Sequence, residues 1–136
     1  METEPSIFTK IIRGDVPGYV PYEDNEIAVL VALEGHLLVV PKTQYRDIYE
    51  LPEEIGAAMM RVAIQMAKTI KAITNCDGIN LIQSNEPAAG QEVFHIHLHV
   101  KPRYEDDSMT LAWDTSARPS EERAALTEAI KIALTK

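Results

Sequence analysis

The sequence predicts an α+β fold in which an antiparallel sheet carries one long packing helix. Three observations lead there. Ile55, Met59, Val62, Met66, Ile70 and Ile73 recur at spacings of three and four, which places them on one helix face. The segments 27–33, 37–40, 79–83 and 93–100 are short and rich in Ile, Val and Leu, as strands are. All of these fit within 136 residues without a repeat or a linker, so the helix and the strands belong to one compact unit.

Each element has its own signal. Phe8–Gly18 joins an apolar patch to Arg13, Gly14, Asp15 and Pro17, which predicts a short helical or irregular lead-in closed by a turn. Tyr22–Asn25 reads as an edge and turn before Ile27–Leu33, where Ile27, Val29 and Val31 recur at the strand period. Leu37–Val40 is a second strand ended by Pro41, paired with the first across a turn near Glu34 and Gly35. Pro52 suits a first helical turn, so the long helix spans about residues 52–74. Ile79–Gln83 is a strand, Ser84–Gly90 a turn-rich loop, and Val93–Val100 a strand that Pro102 should end or loosen. Tyr104–Ser120 is a long loop or arm containing Trp113. Ser120, Glu121 and Glu122 then start a helix whose Leu126, Ile130 and Leu134 form a modest stripe.

Composition narrows the function. Lys and Arg total 13 against 21 Asp and Glu, a net charge of −8, which opposes binding to a nucleic-acid polymer or an anionic membrane. It leaves room for a small phosphate pocket, because a few local donors can hold one anion. Hydrophobic residues make up 46%, enough for a core, and the single Cys76 forms neither an internal disulfide nor a CxxC site. No apolar run approaches the roughly 20 residues a bilayer span requires, and Met1–Pro5 is acidic where a signal peptide is basic. The expectation is a cytoplasmic protein.

The informative constellation is His95-Ile96-His97-Leu98-His99, preceded by Gly90-Gln91-Glu92-Val93 and joined by a remote His36. Strand alternation turns His95, His97 and His99 to one face, with Ile96, Leu98 and Val100 on the other. Two chemistries suit such a row. Imidazoles two residues apart can share a metal, with His36 as a further ligand, although the row spreads over roughly 13 Å along a strand. In phosphate chemistry, one imidazole attacks phosphorus while the others donate protons or hydrogen bonds. The backbone N–H groups that follow Gly90 and the Gln91 amide then supply donors to phosphate oxygens, so the glycine loop is explained as well.

Gly35-His36-Leu-Leu-Val-Val-Pro-Lys42 and Ala89-Gly90-Gln91-Glu-Val-Phe-His95-Ile-His97-Leu-His99-Val100 resemble the two signatures of the histidine triad (HIT) superfamily of nucleotide hydrolases and transferases. The resemblance runs from about Phe8 to Tyr104, and Leu111-Ala-Trp113 with the last helix resembles tails of prokaryotic members. It implies a HIT-like α+β fold whose sheet extends across a homodimer. Residues 1–110 form the catalytic domain, and residues 111–136 an arm and helix in the same structural unit. It implies a purine nucleotide or nucleotide conjugate as ligand, with no cofactor and no metal.

By the same resemblance His97 attacks the α-phosphate, forming a nucleotidyl-imidazole that water resolves. His99 and His36 support it, and His95 has a mainly structural role. Ser84, Asn85, Gly90, Gln91, Glu92 and Val93 form the nucleotide-binding loop. Ser84 replaces an asparagine common among relatives, with Asn85 beside it. Glu92 stands where phosphoramidate-hydrolysing members carry serine, which favours a small or amine-containing leaving group. The activity expected is a nucleotide phosphoramidase or hydrolase releasing a purine nucleoside monophosphate. The alternatives are a dinucleoside polyphosphate hydrolase and a nucleotide-binding regulatory protein without efficient turnover.

Overall fold

The computed structural model describes residues 4–135; Met1–Thr3, which open the acidic N-terminal stretch, and Lys136 lie outside them. The elements in chain order are α1 (Ile7–Arg13), β1 (Tyr22–Glu23), β2 (Ile27–Val31), β3 (Leu37–Pro41), α2 (Glu53–Thr74), β4 (Gly78–Ile82), a 3-10 turn (Pro87–Ala89), β5 (Leu98–Arg103) and α3 (Ser120–Leu134). The strands form one antiparallel sheet in the order β1-β2-β3-β5-β4. The β2–β3 hairpin turns at Gly35, whose φ of +93° belongs to the left-handed region that a side chain disfavours.

Both faces of the central strands are covered. Ile27, Val29, Leu37, Val39, Ile96 and Val100 pack with Ala58, Met59, Val62 and Ala63 of α2. The alternate residues Ala28, Leu30, Leu38 and Val40 pack on the opposite face with Phe8 of α1. This is why β2 reads as a continuous apolar run rather than a clean alternation. Full burial of each large aliphatic side chain stabilises the fold by about 1.5–3 kcal/mol. The anticipated stripes need two corrections at their ends: Ile73 is 73% exposed beyond the sheet, and Val31 is exposed at the hairpin end of β2.

The strand expected over Val93–Val100 is also corrected, since β5 begins only at Leu98. Lys42 N donates to Glu26 O on the β2 side, so by alternation the nitrogen and carbonyl of Pro41 face the side of β5. Proline has no N–H to offer a ladder, and its carbonyl is taken by His95. Pairing of β3 with β5 therefore stops at Val39–Leu98. Residues 93–97 instead form a loop tied down where Ile96 N donates to Tyr45 O. Pro102 does not end β5, because beyond Val100 the strand pairs with β4 alone and the missing N–H is tolerated.

After Arg103 the chain is pinned briefly. Arg103 Nε and Nη2 donate to the two Asp107 oxygens at 2.9 and 3.0 Å, and further N–H groups reach Asn80 and Met109. No residue of α3 is buried among the described residues.

Candidate active site

The histidines occupy the α1 side of the sheet. His99 stands on β5 opposite Leu38, and His36 immediately precedes β3. His97 and His95 project from the loop before β5. Rings of His97 and His99 lie with centroids 4.9 Å apart, and His36 with His99 at 5.1 Å. Phe8 of α1 packs edge-on against both His95 and His97, at 5.6 and 5.0 Å.

Hydrogen bonds decide the tautomers. A carbonyl only accepts, so the 2.8 Å contact between His97 Nδ1 and His95 O places the His97 proton on Nδ1 and leaves a lone pair on Nε2. His95 Nε2–H donates to Pro41 O at 2.7 Å by the same logic. His36 Nε2 and His99 Nδ1 are 2.9 Å apart, and the buried His36 Nδ1 has no hydrogen-bond partner among the described residues. A buried orphan N–H is rarer than an orphan acceptor, so the His36 proton sits on Nε2 and is donated to His99 Nδ1. His99 consequently carries its own proton on Nε2. A ring nitrogen with a free lone pair on His97 and an N–H donor on His99 are thus carried on neighbouring rings.

These assignments require neutral rings, and the surroundings keep them neutral. Burial pushes the ionisation of His36, His95 and His97 below the ordinary 6.5. His99 is pushed furthest, to about 4, by burial and then by its neighbours His97 and His36. Among the described residues no three His, Cys, Asp or Glu side chains gather around a point where one metal ion could sit. Instead His36 and His99 are hydrogen-bonded to each other, and His95 and His97 to backbone carbonyls.

A cleft of about 940 Å³ opens in front of this array, bordered by His36, His97 and His99 together with Gly90, Glu92 and Val93. Its remaining wall is largely apolar, with Ile11, Tyr19, Leu30, Val31 and Leu33. Gly90 holds φ +94° at the end of the 3-10 turn, a conformation that suits glycine and lets the backbone face the cleft without a Cβ. The other predicted loop residues stand behind it. Buried Gln91 accepts from Glu86 N and donates to the carbonyls of Arg46 and Val93. Asn85 accepts from Ile48 N and pairs with the Gln83 amide. Neither they nor Ser84 border the cleft, and His95 is fully buried beneath His97.

Sequence reading did not single out Ser6, Phe8, Thr9 or Gln44 for the site. Ser6 Oγ lies 2.6 Å from His95 Nδ1, although the two residues are 89 positions apart. Ser6 before an apolar run is legible as a helix cap. Its reach to His95 is visible only in three dimensions.

A five-stranded antiparallel sheet with a helix on one face and a row of coupled imidazoles opening into a cleft on the other defines an α+β protein of the histidine-triad class. The HIT domain matches residues 13–106, and the chain belongs to the HIT family. A HIT family protein from Bacillus anthracis superposes with a TM-score of 0.89 at 34% identity, covering 97% of this chain and 99% of its own. An adenylylsulfatase, HINT3, from Arabidopsis thaliana is 36% identical over 76% of this chain and 54% of its own length. The adenosine 5'-monophosphoramidase HNT1 of Saccharomyces cerevisiae is 30% identical over 79% of this chain and 68% of its own. Among the described residues no helix is long and apolar enough to cross a membrane.

Proposed function

We propose that this protein is a nucleotide hydrolase that cleaves at the α-phosphate of a purine nucleoside phosphoramidate, with His97 as nucleophile. The observation that carries the reading is the 2.8 Å bond from His97 Nδ1 to His95 O, which directs the lone pair to Nε2 at the edge of the cleft. Nε2 attacks phosphorus, a P–N bond to His97 forms, and the bond from phosphorus to the leaving nitrogen breaks. Water then cleaves the His97–phosphorus bond, releasing the monophosphate and restoring the imidazole. His99 donates its Nε2–H to a phosphate oxygen. The leaving nitrogen takes its proton from solvent in the open cleft and departs as the neutral amine, and the proton released by the attacking water returns to solvent.

The apolar wall formed by Ile11, Tyr19 and Leu33 suits a purine base, while the histidine end suits the phosphate. Gly90, Glu92 and Val93 border the phosphate end, and Gln91, Asn85 and Ser84 hold the loop in shape. The named activities of the Arabidopsis and yeast relatives, both on adenylyl compounds, support this class of substrate. Edge strand β4 has one neighbour and a half-exposed Leu81, and a second copy pairing there completes a homodimer. Glu92 favours a leaving amine over a polyphosphate chain, the leaving group of the alternative dinucleoside polyphosphate reaction.

The test is rapid-quench product analysis with a purine nucleoside 5'-phosphoramidate, native protein beside His97→Ala. Monophosphate release and a phosphorus adduct on native protein, both lost in His97→Ala, are the expected result. Tight nucleotide binding with no product from any conjugate would replace the enzyme reading by a binding-only role.

A further inference from the structure

His95 cannot reach the cleft, yet it is the most constrained ring of the array. It is fully buried, and both ring nitrogens are engaged. Because Nε2–H is given to Pro41 O, Nδ1 holds a lone pair that needs a donor. The Ser6 hydroxyl at 2.6 Å supplies it. Thr9 Oγ1 stands 3.5 Å from the same nitrogen and 3.3 Å from Gln44 Oε1. Gln44 in turn accepts from Ser6 N at 2.7 Å and donates to Glu4 O. The cluster ties the N-terminal segment, the loop after β3 and the catalytic loop together at one point.

Ser6 does two jobs with one oxygen. It accepts from Thr9 N at 3.1 Å as the N-cap of α1 while its proton goes to His95. The start of α1 is thereby registered against the histidine loop. That helix carries Phe8, whose ring edge lies against His95 and His97. The His95 carbonyl, which lies outside the β3–β5 ladder, receives the Nδ1–H of His97.

We propose that Ser6 is a positioning residue for the reaction: through its hydroxyl bond to His95 it holds the His95 ring and carbonyl, and with Phe8 it fixes the tautomer and orientation of His97. The inference rests on His97 being the nucleophile. Its structural part, the tautomer of a buried ring, can be read without any turnover.

The deciding variant is Ser6→Gly. Glycine is tolerated as an N-cap far better than alanine, so the hydroxyl bond to His95 is removed with little change in the cap. Ser6→Thr retains a hydroxyl and serves as rescue, and Val62→Ala, a core change on the α2 face of the sheet and so opposite the cluster, serves as the control for lowered stability alone. Imidazole 15N shifts are recorded on the free proteins, and adduct formation is followed in a single turnover with the phosphoramidate.

In native protein and in Ser6→Thr, His95 should be protonated on Nε2 and His97 on Nδ1. In Ser6→Gly both rings should show mixed tautomers, with adduct formation slowed about tenfold, the rate equivalent of one lost hydrogen bond. Val62→Ala should retain native tautomers. Native tautomers and a native adduct rate in folded Ser6→Gly would overturn the inference. So would His95 protonated on Nδ1 in the native protein, which needs no variant. If native protein forms no adduct but the tautomers shift as expected, the proposed activity fails while the positioning of the ring by Ser6 stands.

Discussion

His36 Nε2 donates to His99 Nδ1 across 2.9 Å, joining residues 63 positions apart. This bond, and not the sequence spacing of the triad, sets which nitrogen of His99 faces the cleft. In His36→Ala the His99 ring gains a choice of tautomer. Turnover should fall about tenfold, on the scale of one oriented hydrogen bond, with the melting temperature changed by only a few degrees. Unchanged single-turnover kinetics would remove His36 from the supporting set.

The depressed ionisation of the imidazoles gives stability, and the proposed turnover with it, a direction with pH. An unfolded histidine binds its proton near 6.5, whereas folded His99 does so near 4, and the other three are also lowered. Between those values the unfolded chain holds more protons. The contribution is therefore fully present above about 6.5 and lost as pH falls toward the folded values. Urea midpoints should decline on acidification through that window. Activity should also persist below pH 6.5, because His97 keeps its lone pair there; an acid limb of kcat/KM centred above 6.5 would contradict a buried neutral nucleophile.

Glu92 borders the cleft beside Gly90 and Val93. Its carboxylate repels a leaving group that carries phosphates and tolerates an amine. Glu92→Gln, which removes the charge and keeps the shape, should raise the rate on dinucleoside polyphosphates relative to phosphoramidates, measured as a ratio of kcat/KM values. An unaltered ratio would assign Glu92 to the surface.

Arg103 engages both Asp107 oxygens while also reaching Asn80 and Met109. Lysine carries the charge but not the fork. Arg103→Lys should loosen residues 104–109, seen as faster amide exchange there than in native protein, with β5 still protected. Equal exchange in the two proteins would mean that charge alone holds the segment.

Ile96 lies between two site histidines yet faces the α2 core at 1% exposure. Ile96→Ala should destabilise the fold by about 2–5 kcal/mol, read from chemical denaturation. A loss below about 1 kcal/mol would show that the core refills the space, contrary to the tight packing seen there.

Much of this was legible in one dimension. The helix over residues 52–74, the strands, the hairpin at Gly35 and the triple-histidine motif follow from periodicity, turn residues and spacing, because those patterns reflect local geometry. Local geometry also explains the misplaced start of β5. Alternation around His95–Val100 is compatible with a strand, and only the meeting with Pro41, which offers no N–H on the side of β5 and gives its carbonyl to His95, ends the ladder at Leu98. The sequence by itself determined which residues carry imidazoles, and hence the family of the chain. The tertiary structure decided which nitrogen of each ring is free, that Gln91 and Asn85 brace the loop, and that Ser6 holds His95 from 89 residues away. A tautomer depends on the partner of the opposite nitrogen, and those partners arrive from remote parts of the chain only when the sheet closes.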